Sequence, residues 1–175
     1  GGADGAYIHH NEFREGTASG ISMVEWTGAA DDVRIEDNGF YAPTAATYDE
    51  AILVASTPTR GRILRNYIWG DWDEGGINNA IGNVGTAFNV SDNFVVNLLT
   101  NVAAINFDSA VTGVMARNVL GTDTWASAID PGAMATSDNT WSDLLGSTGD
   151  GPAMAPQDTG GNFIGIDDAN NEAAT

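Results

Sequence analysis

One asparagine recurs in the same sequence frame five times along this chain of 175 residues, and that repeat constrains the fold more than any other feature. The five residues are Asn11, Asn38, Asn66, Asn93 and Asn118, at intervals of 27, 28, 27 and 25 residues. A period of this length is typical of a solenoid, in which each repeat adds one unit to a stack and buries its apolar side chains against its neighbours.

Apolar residues keep step with this asparagine. The residues three places before it are Ile8, Ile35, Ile63, Val90 and Met115, and those two places after it are Phe13, Phe40, Ile68, Val95 and Leu120. A third series comprises Ile21, Ile52, Ile77, Ile105 and Ile129, each preceded by a small residue. Each period therefore predicts three short strands, which bury their apolar sides only when stacked on the next coil at about 4.8 Å.

The repeated asparagine stands between the first and second predicted strands of each period, at the corner of a coil. Asparagine tolerates the left-handed backbone region that a sharp corner needs. Stacked asparagine side chains also hydrogen-bond to one another along a ladder. We therefore expect a structural ladder at these five positions, with the left-handed conformation at the asparagine itself.

These features predict an all-β protein, a right-handed parallel β-helix of about five to six coils. We expect the solenoid to cover residues 1–141, with Asn139 as a degraded sixth corner, and residues 142–175 to form a cap and a mostly extended, acidic, Gly-rich tail. The consensus sequences of leucine-rich repeats and of calcium-binding nonapeptide repeats are absent. An ordinary β-sandwich is the remaining alternative, but it would not keep one asparagine frame over five periods.

The chain is strongly acidic, with 24 Asp and Glu against 6 Arg and a net charge of −18. Such a surface repels nucleic acid and anionic lipid, so we expect neither as a partner.

The chain has no Cys, which excludes disulfides and thiolate zinc sites. No apolar run approaches the roughly 20 residues that span a bilayer. The start lacks a signal peptide and an initiator Met, which is consistent with a fragment or processed product of a longer chain.

Two segments carry the candidate ligand-binding residues. Residues 69–75 hold Trp69, Asp71, Trp72, Asp73 and Glu74, and residues 41–48 begin and end with Tyr41 and Tyr48. Both follow the same strand of their coils, so we predict loops that project from one flank. Carboxylates beside aromatic rings are typical of sugar-binding clefts, and three nearby acids could also bind calcium. A solvated acidic loop whose Trp residues pack on the coil is the alternative we favour, and we expect no metal or cofactor.

Charged residues directly precede several of the repeated asparagines. Arg65, Asp92 and Arg117 share this position and should therefore stack along one line. We interpret the line as a ladder of surface ion pairs, each worth under about 1 kcal/mol. Arg65 belongs to the only basic cluster, with Arg60 and Arg62, and would be the basic catalytic candidate beside Asp71, Asp73 and Glu74 if the chain were an enzyme. His9 and His10 lack a third metal ligand.

The unit Ile-x-x-Asn-x-Phe, seen at residues 8–13 and, with Ile in place of Phe, at 63–68, resembles the repeat of pectate-lyase-like β-helix proteins over about residues 7–130. That family includes polysaccharide lyases and hydrolases, surface adhesins and tailed-phage virion proteins. The segments at residues 128–134 and 137–141, followed by a Gly-rich tail, resemble the ends of β-helix proteins of tailed phages, including marine ones. The calcium-binding acids and catalytic Arg of the enzyme families have no matching positions in this chain.

The resemblance and the missing catalytic motifs predict a non-enzymatic structural component of a phage virion, such as a capsid decoration, head fibre or appendage protein. Its expected partners are other virion proteins or copies of itself, with surface glycans as a further candidate, and its expected location is the virion or otherwise the extracellular space. The alternatives are a polysaccharide lyase or hydrolase of the pectate-lyase-like fold and a cell-surface adhesin. A docked component should have a contiguous exposed apolar patch on one flank, and an enzyme a lateral groove with convergent carboxylates.

Overall fold

The computed structural model describes residues 4–16, 20–28, 30–42, 48–79, 82, 84–99, 102–122, 129–143 and 164–166. Within these ranges the chain is all-β, without a helix, and its strands form three parallel sheets stacked as a β-solenoid. The predicted all-β parallel solenoid is therefore confirmed. The described residues contain no helix long and apolar enough to cross a membrane.

Each of the first five coils contributes one strand to each sheet, because the three apolar segments of a period are separated by corners. Sheet A contains β1 (Tyr7–His9), β4 (Arg34–Glu36), β7 (Arg62–Leu64), β10 (Phe88–Ser91), β13 (Gly113–Ala116) and β16 (Ala135–Ser137). Sheet B contains β2 (Glu12–Arg14), β5 (Gly39–Ala42), β8 (Tyr67–Gly70), β11 (Phe94–Asn97), β14 (Val119–Thr122), β17 (Thr140–Asp143) and β18 (Ile164–Ile166). Sheet C contains β3 (Val24–Trp26), β6 (Tyr48–Val54), β9 (Trp72–Asn79), β12 (Ile105–Asn106) and β15 (Ile129–Asp130).

The pairing register follows the sequence repeat in sheets A and B. In sheet A, Ile8, Ile35, Ile63, Val90 and Met115 pair in register from strand to strand. In sheet B, Phe13, Phe40, Ile68, Val95 and Leu120 do the same. From the second coil onward these side chains are almost fully buried, and full burial of such a side chain contributes about 1.5–3 kcal/mol.

Sheet C departs from the prediction in its first coil. Ile52, Ile77, Ile105 and Ile129 pair in register, but the residue in register with Ile52 in the first coil is Val24. Ile21 is 47% exposed and lies outside β3. The assignment of Ile21 to this series was wrong because the connection before β3 is three residues longer than the sequence series assumed.

The chain after the solenoid is described only in part. The predicted boundary at residue 141 falls inside β17, and β18 pairs in parallel with β17 as the last strand of sheet B. The other residues of the predicted cap and tail lie outside the described ranges.

A continuous asparagine ladder runs along the corner between sheets A and B. The side-chain oxygen of each asparagine accepts hydrogen bonds from both the backbone N–H and the side-chain amide of the asparagine one coil earlier, at 2.8–3.2 Å. The members are Asn11, Asn38, Asn66, Asn93, Asn118 and Asn139. The five after Asn11 are at most 3% exposed. A fully satisfied buried polar chain of this kind holds neighbouring coils in a single register.

The left-handed backbone conformation lies one residue before each ladder asparagine. His10, Asp37, Arg65, Asp92, Arg117 and Asp138 have φ between 54° and 60°. The expectation that the asparagine itself takes this conformation was wrong, because its backbone N–H must point along the solenoid axis toward the next side-chain oxygen. The preceding residue therefore makes the bend.

The corner residues that precede the asparagines form ion pairs between coils. Arg65 binds Asp37 with its Nε 2.8 Å from Oδ1, and Arg117 binds Asp92 with its Nη2 2.7 Å from Oδ2. Hydrogen bonds from these guanidinium groups lower the pKa of Asp37 and of Asp92. Both pairs are largely solvent-exposed, so each contributes under about 1 kcal/mol.

The ladder predicts that Asn93 and Asn89, four residues apart, differ strongly in their contribution to the free energy of unfolding. In Asn93→Ala, the buried backbone and side-chain groups of Asn66, Ile63 and Asn118 lose the hydrogen bonds that they make with the Asn93 side chain. We expect the free energy of unfolding to fall by about 3 kcal/mol, measured by urea denaturation.

Asn89→Ala is the matched control, because Asn89 is exposed on β10 and its side-chain oxygen accepts one hydrogen bond, from the Ser91 hydroxyl at 2.6 Å. We expect its effect to stay at about 1 kcal/mol. Equal effects of the two substitutions would show that the ladder does not hold the coils together.

Candidate functional site

The acidic and aromatic segment at residues 69–75 lies in two strands. Trp69 belongs to β8, and Trp72, Asp73 and Glu74 belong to β9, so the predicted projecting loop was wrong here. The pairing of β6 with β9 shifts between Tyr48 and Glu50, which is a β-bulge. The extra residue leaves the consecutive Asp73 and Glu74 both exposed. The acids therefore project from the start of β9, the central strand of sheet C.

The aromatic candidates divide into buried and accessible rings. Trp72 is fully buried, and its Nε1 donates to the Val96 carbonyl oxygen at 3.2 Å. Tyr48 is 6% exposed, and its hydroxyl oxygen accepts a hydrogen bond from the backbone N–H of Gly16. These two rings belong to the core and are closed to a ligand at the surface.

The accessible rings lie on sheet B, whereas Asp73 and Glu74 belong to β9 of sheet C. Trp69 and Tyr41 are half-buried and pair in register on neighbouring strands. The Arg14 guanidinium lies 5.1 Å from the centre of the Tyr41 ring, which is a cation–π contact. Residues 43–47 of the other predicted loop lie outside the described ranges.

A cavity of about 290 Å³ opens beside sheet C. Four carboxyl groups line it, together with apolar and small side chains; the lining residues are Gly20, Ile21, Ser22, Glu25, Asp49, Glu50, Leu53 and Glu74. Among the candidate acids of the sequence, Glu74 is the one in this lining, whereas Asp71 and Asp73 lie outside it.

Glu50 is the most buried acid of the cavity, at 2% exposed. Its Oε2 accepts a hydrogen bond from the Ser22 hydroxyl at 2.6 Å, and its Oε1 accepts one from the Asn78 amide at 3.0 Å. The same amide nitrogen lies 3.3 Å from Oε2 of Glu74. One amide therefore holds two carboxyl groups side by side.

The electrostatics of this cluster favour protonated acids. Burial raises the pKa of Glu50, and the neighbouring Glu74 carboxylate raises it further. Burial also raises the pKa of Asp49, with added repulsion from Glu74 and Asp73. Outside the cavity, burial and repulsion from Asp73 and Glu15 raise the pKa of Asp71. The cluster can hold a proton, and its negative potential disfavours an acidic substrate.

The geometry does not match paired-carboxylate glycoside hydrolysis. In that reaction two carboxyl groups flank the scissile bond at about 5 Å or more, with the sugar between them. Here Glu50 and Glu74 share one amide donor, and Glu50 is closed to solvent. No group of three or more His, Asp or Glu within the described ranges is arranged to hold a metal ion.

Arg65, the basic candidate, does not take part in this cavity. It binds Glu36 and Asp37 at the corner between sheets A and B, with nitrogen–oxygen distances of 3.0 and 2.8 Å. It is absent from the cavity lining. The structure therefore does not bring Asp71, Asp73, Glu74 and Arg65 together as one catalytic set.

Sequence reasoning missed Glu50 and Asp49. Strand alternation gave no signal for them, because Glu50 lines the cavity with Leu53 and binds Asn78, which pairs in register with Leu53 and not with the core residue Ile52. What the sequence could not reveal was the bulge that brings Glu74 and Asn78 against Glu50.

The raised pKa of Glu50 predicts a pH-dependent stability. The folded chain holds this proton more tightly than the unfolded chain, whose pKa is near 4.5. The stabilising contribution is therefore present below that pH and is lost as the pH rises through the folded-state pKa. We expect Glu50→Gln to raise Tm at pH 8 and to leave it nearly unchanged at pH 4, measured by thermal denaturation.

Asp73→Asn controls for the loss of one negative charge, because Asp73 is exposed on the neighbouring strand. Its Tm should differ little from that of the wild type at either pH. A Glu50→Gln variant that behaves like Asp73→Asn, or that melts earlier at pH 8, would contradict the account of the buried carboxyl pair.

Comparisons with known proteins do not assign the chain to a family. No family model, no curated protein and no solved structure matches the chain. The structure therefore identifies the chain at the level of its fold, as an all-β parallel β-solenoid.

Proposed function

We propose that this chain is a non-enzymatic structural component of a tailed-phage virion, such as a capsid decoration, head fibre or appendage protein. The virion assignment rests on the resemblance of the repeat and of the solenoid end to phage β-helix proteins. The structural role rests on how the chain uses its polar side chains.

The asparagine ladder is the observation that supports a structural role. The repeated polar residues of the described chain are directed at neighbouring coils: asparagines bind asparagines, and corner arginines bind corner aspartates one coil away. The catalytic candidates remain separated. A solenoid built in this way is a rigid spacer, since each coil is held to the next by backbone, amide and ion-pair contacts.

A second candidate function is supported by the cavity beside sheet C. Its carboxyl groups and the raised pKa of Glu50 are features of acid–base sites, and a neutral glycan would not be repelled. Glu74 is the exposed carboxylate that such a substrate would contact. We rank this function second because Glu50, the acid with the raised pKa beside Glu74, is buried.

Immunogold electron microscopy tests the proposal directly. With an antibody against the full chain, applied to cells and phage particles from the source, we expect regular label on capsids or tails. Label confined to cells or to the medium would contradict the virion proposal. Activity on neutral polysaccharides that Glu74→Gln abolishes and Asp73→Asn retains would establish the second function instead.

A further inference from the structure

We propose that the outer face of sheet B is the surface through which the chain docks, and that its partner is a protein surface with an apolar centre and a basic rim. This inference rests on the proposed function, since it assumes that the chain is one component of an assembly. It adds the face that is used and the chemistry of what covers it.

The outward positions in the middle of sheet B carry no charge. Strands β5, β8, β11 and β14 contribute two such positions each, and the eight residues are Gly39, Tyr41, Tyr67, Trp69, Phe94, Val96, Val119 and Gly121. In a chain with 24 acidic residues, an uncharged face of four strands is unusual. We name it the aromatic face.

The side chains of the aromatic face touch one another from coil to coil. The Tyr41 and Tyr67 rings lie 5.6 Å apart between centroids, and the Tyr67 and Phe94 rings lie 4.8 Å apart. Tyr67 and Val119 are each 42% exposed. Val96 and Gly121 are buried, and Arg14 lies over the Tyr41 ring. The exposed part of the face is therefore the row formed by Tyr67, Phe94 and Val119, a short contiguous apolar strip of the kind expected of a docked component.

The other two sheets do not share this character. The outward positions of sheet A include Arg34, Arg62 and Asn89, and those of sheet C include Glu25 and Asn106. Exposed apolar residues occur on sheet A too, such as Tyr7 and Val114, but three strands separate them. The apolar strip is therefore a property of one face.

The arrangement of the rings favours a protein partner over a glycan. Tyr67 and Phe94 are stacked with an angle of 7° between their planes. Each ring therefore covers a face of the other and turns its edge toward solvent. A sugar binds an aromatic platform through the open face of a ring, whereas apolar side chains of a protein pack against edges equally well.

The size of the strip indicates that its flanks take part in docking. Four strands at about 4.8 Å spacing extend roughly 14 Å along the axis. A strip of that length is too small by itself to supply the roughly 800 Å² that each partner buries in a stable interface. On the side toward sheet C the flank carries the neighbouring acids Asp71 and Asp73. On the other side the corner arginines and aspartates are paired.

The partner should therefore present basic groups beside its apolar centre. A second copy of the chain fits less well, because it would bring the same acidic flank and another net charge of −18.

A rebinding experiment on phage particles from the source, stripped of this chain, tests the inference. The probes are the full chain and two matched valine variants, Val119→Glu on the aromatic face and Val114→Glu on sheet A, where Val114 is 46% exposed. We expect Val119→Glu to weaken rebinding at least tenfold and Val114→Glu to change it less than threefold. Rebinding of the wild-type chain should weaken with added salt, because the acidic flank pairs with basic groups.

The outcomes separate this inference from the proposed function. A wild-type chain that does not rebind overturns the proposed function and the inference with it. Rebinding by Val119→Glu as strong as that of the wild type, with Tm unchanged in both variants, overturns the assigned face alone. Rebinding that is lost when the particles are deglycosylated replaces the protein partner by a glycan and also overturns the inference.

Hydroxyl-radical footprinting gives a second measurement without substitutions. Tyr67 and Tyr7 are 42% and 45% exposed, so they should react alike in the free chain, and only Tyr67 should be protected on the particle. Protection of Tyr67 already in the free chain would show that another part of the chain covers the face, and would overturn the proposal.

Discussion

The hydrogen bonds between successive asparagine side chains are the interaction on which the rest of this structure depends. Each ladder oxygen accepts two hydrogens from the coil before it, one from backbone and one from side chain. A slip of one residue would break both bonds and turn every apolar side chain of sheets A and B to the opposite face. The ladder thereby determines which side chains form the core and which form the outer faces.

The corner next to the ladder explains why charged residues stand where the backbone is strained. A non-glycine residue in the left-handed region costs about 1–2 kcal/mol, yet Asp37, Arg65, Asp92 and Arg117 all adopt it. Alternating charge along this line lets each Arg bind the Asp one coil before it. The line also sets one border of the aromatic face, and its charges are paired along that border.

The sequence was most informative where the repeat was regular. The strands of sheets A and B and their register follow from the apolar residues three places before and two places after each asparagine. These distances are the same in every coil. The bulge in β9 and the register of Val24 were not predictable, since they depend on connections whose lengths differ between coils. The same irregular region creates the cavity of Glu50 and Glu74, so the candidate site was less predictable than the fold.

Disulfide cross-linking between neighbouring coils tests the central claim, the register of the stack, most directly, because the chain has no Cys of its own. Asn89 and Val114 pair in register on adjacent strands of sheet A, whereas Asn89 and Ala135 are two strands apart. Adjacent strands lie about 4.8 Å apart and the second pair about twice that, which is beyond the reach of a disulfide. The account predicts that Asn89→Cys/Val114→Cys forms an intramolecular disulfide on oxidation and that Asn89→Cys/Ala135→Cys does not. Cross-linking of the second pair, or none of the first, would contradict it.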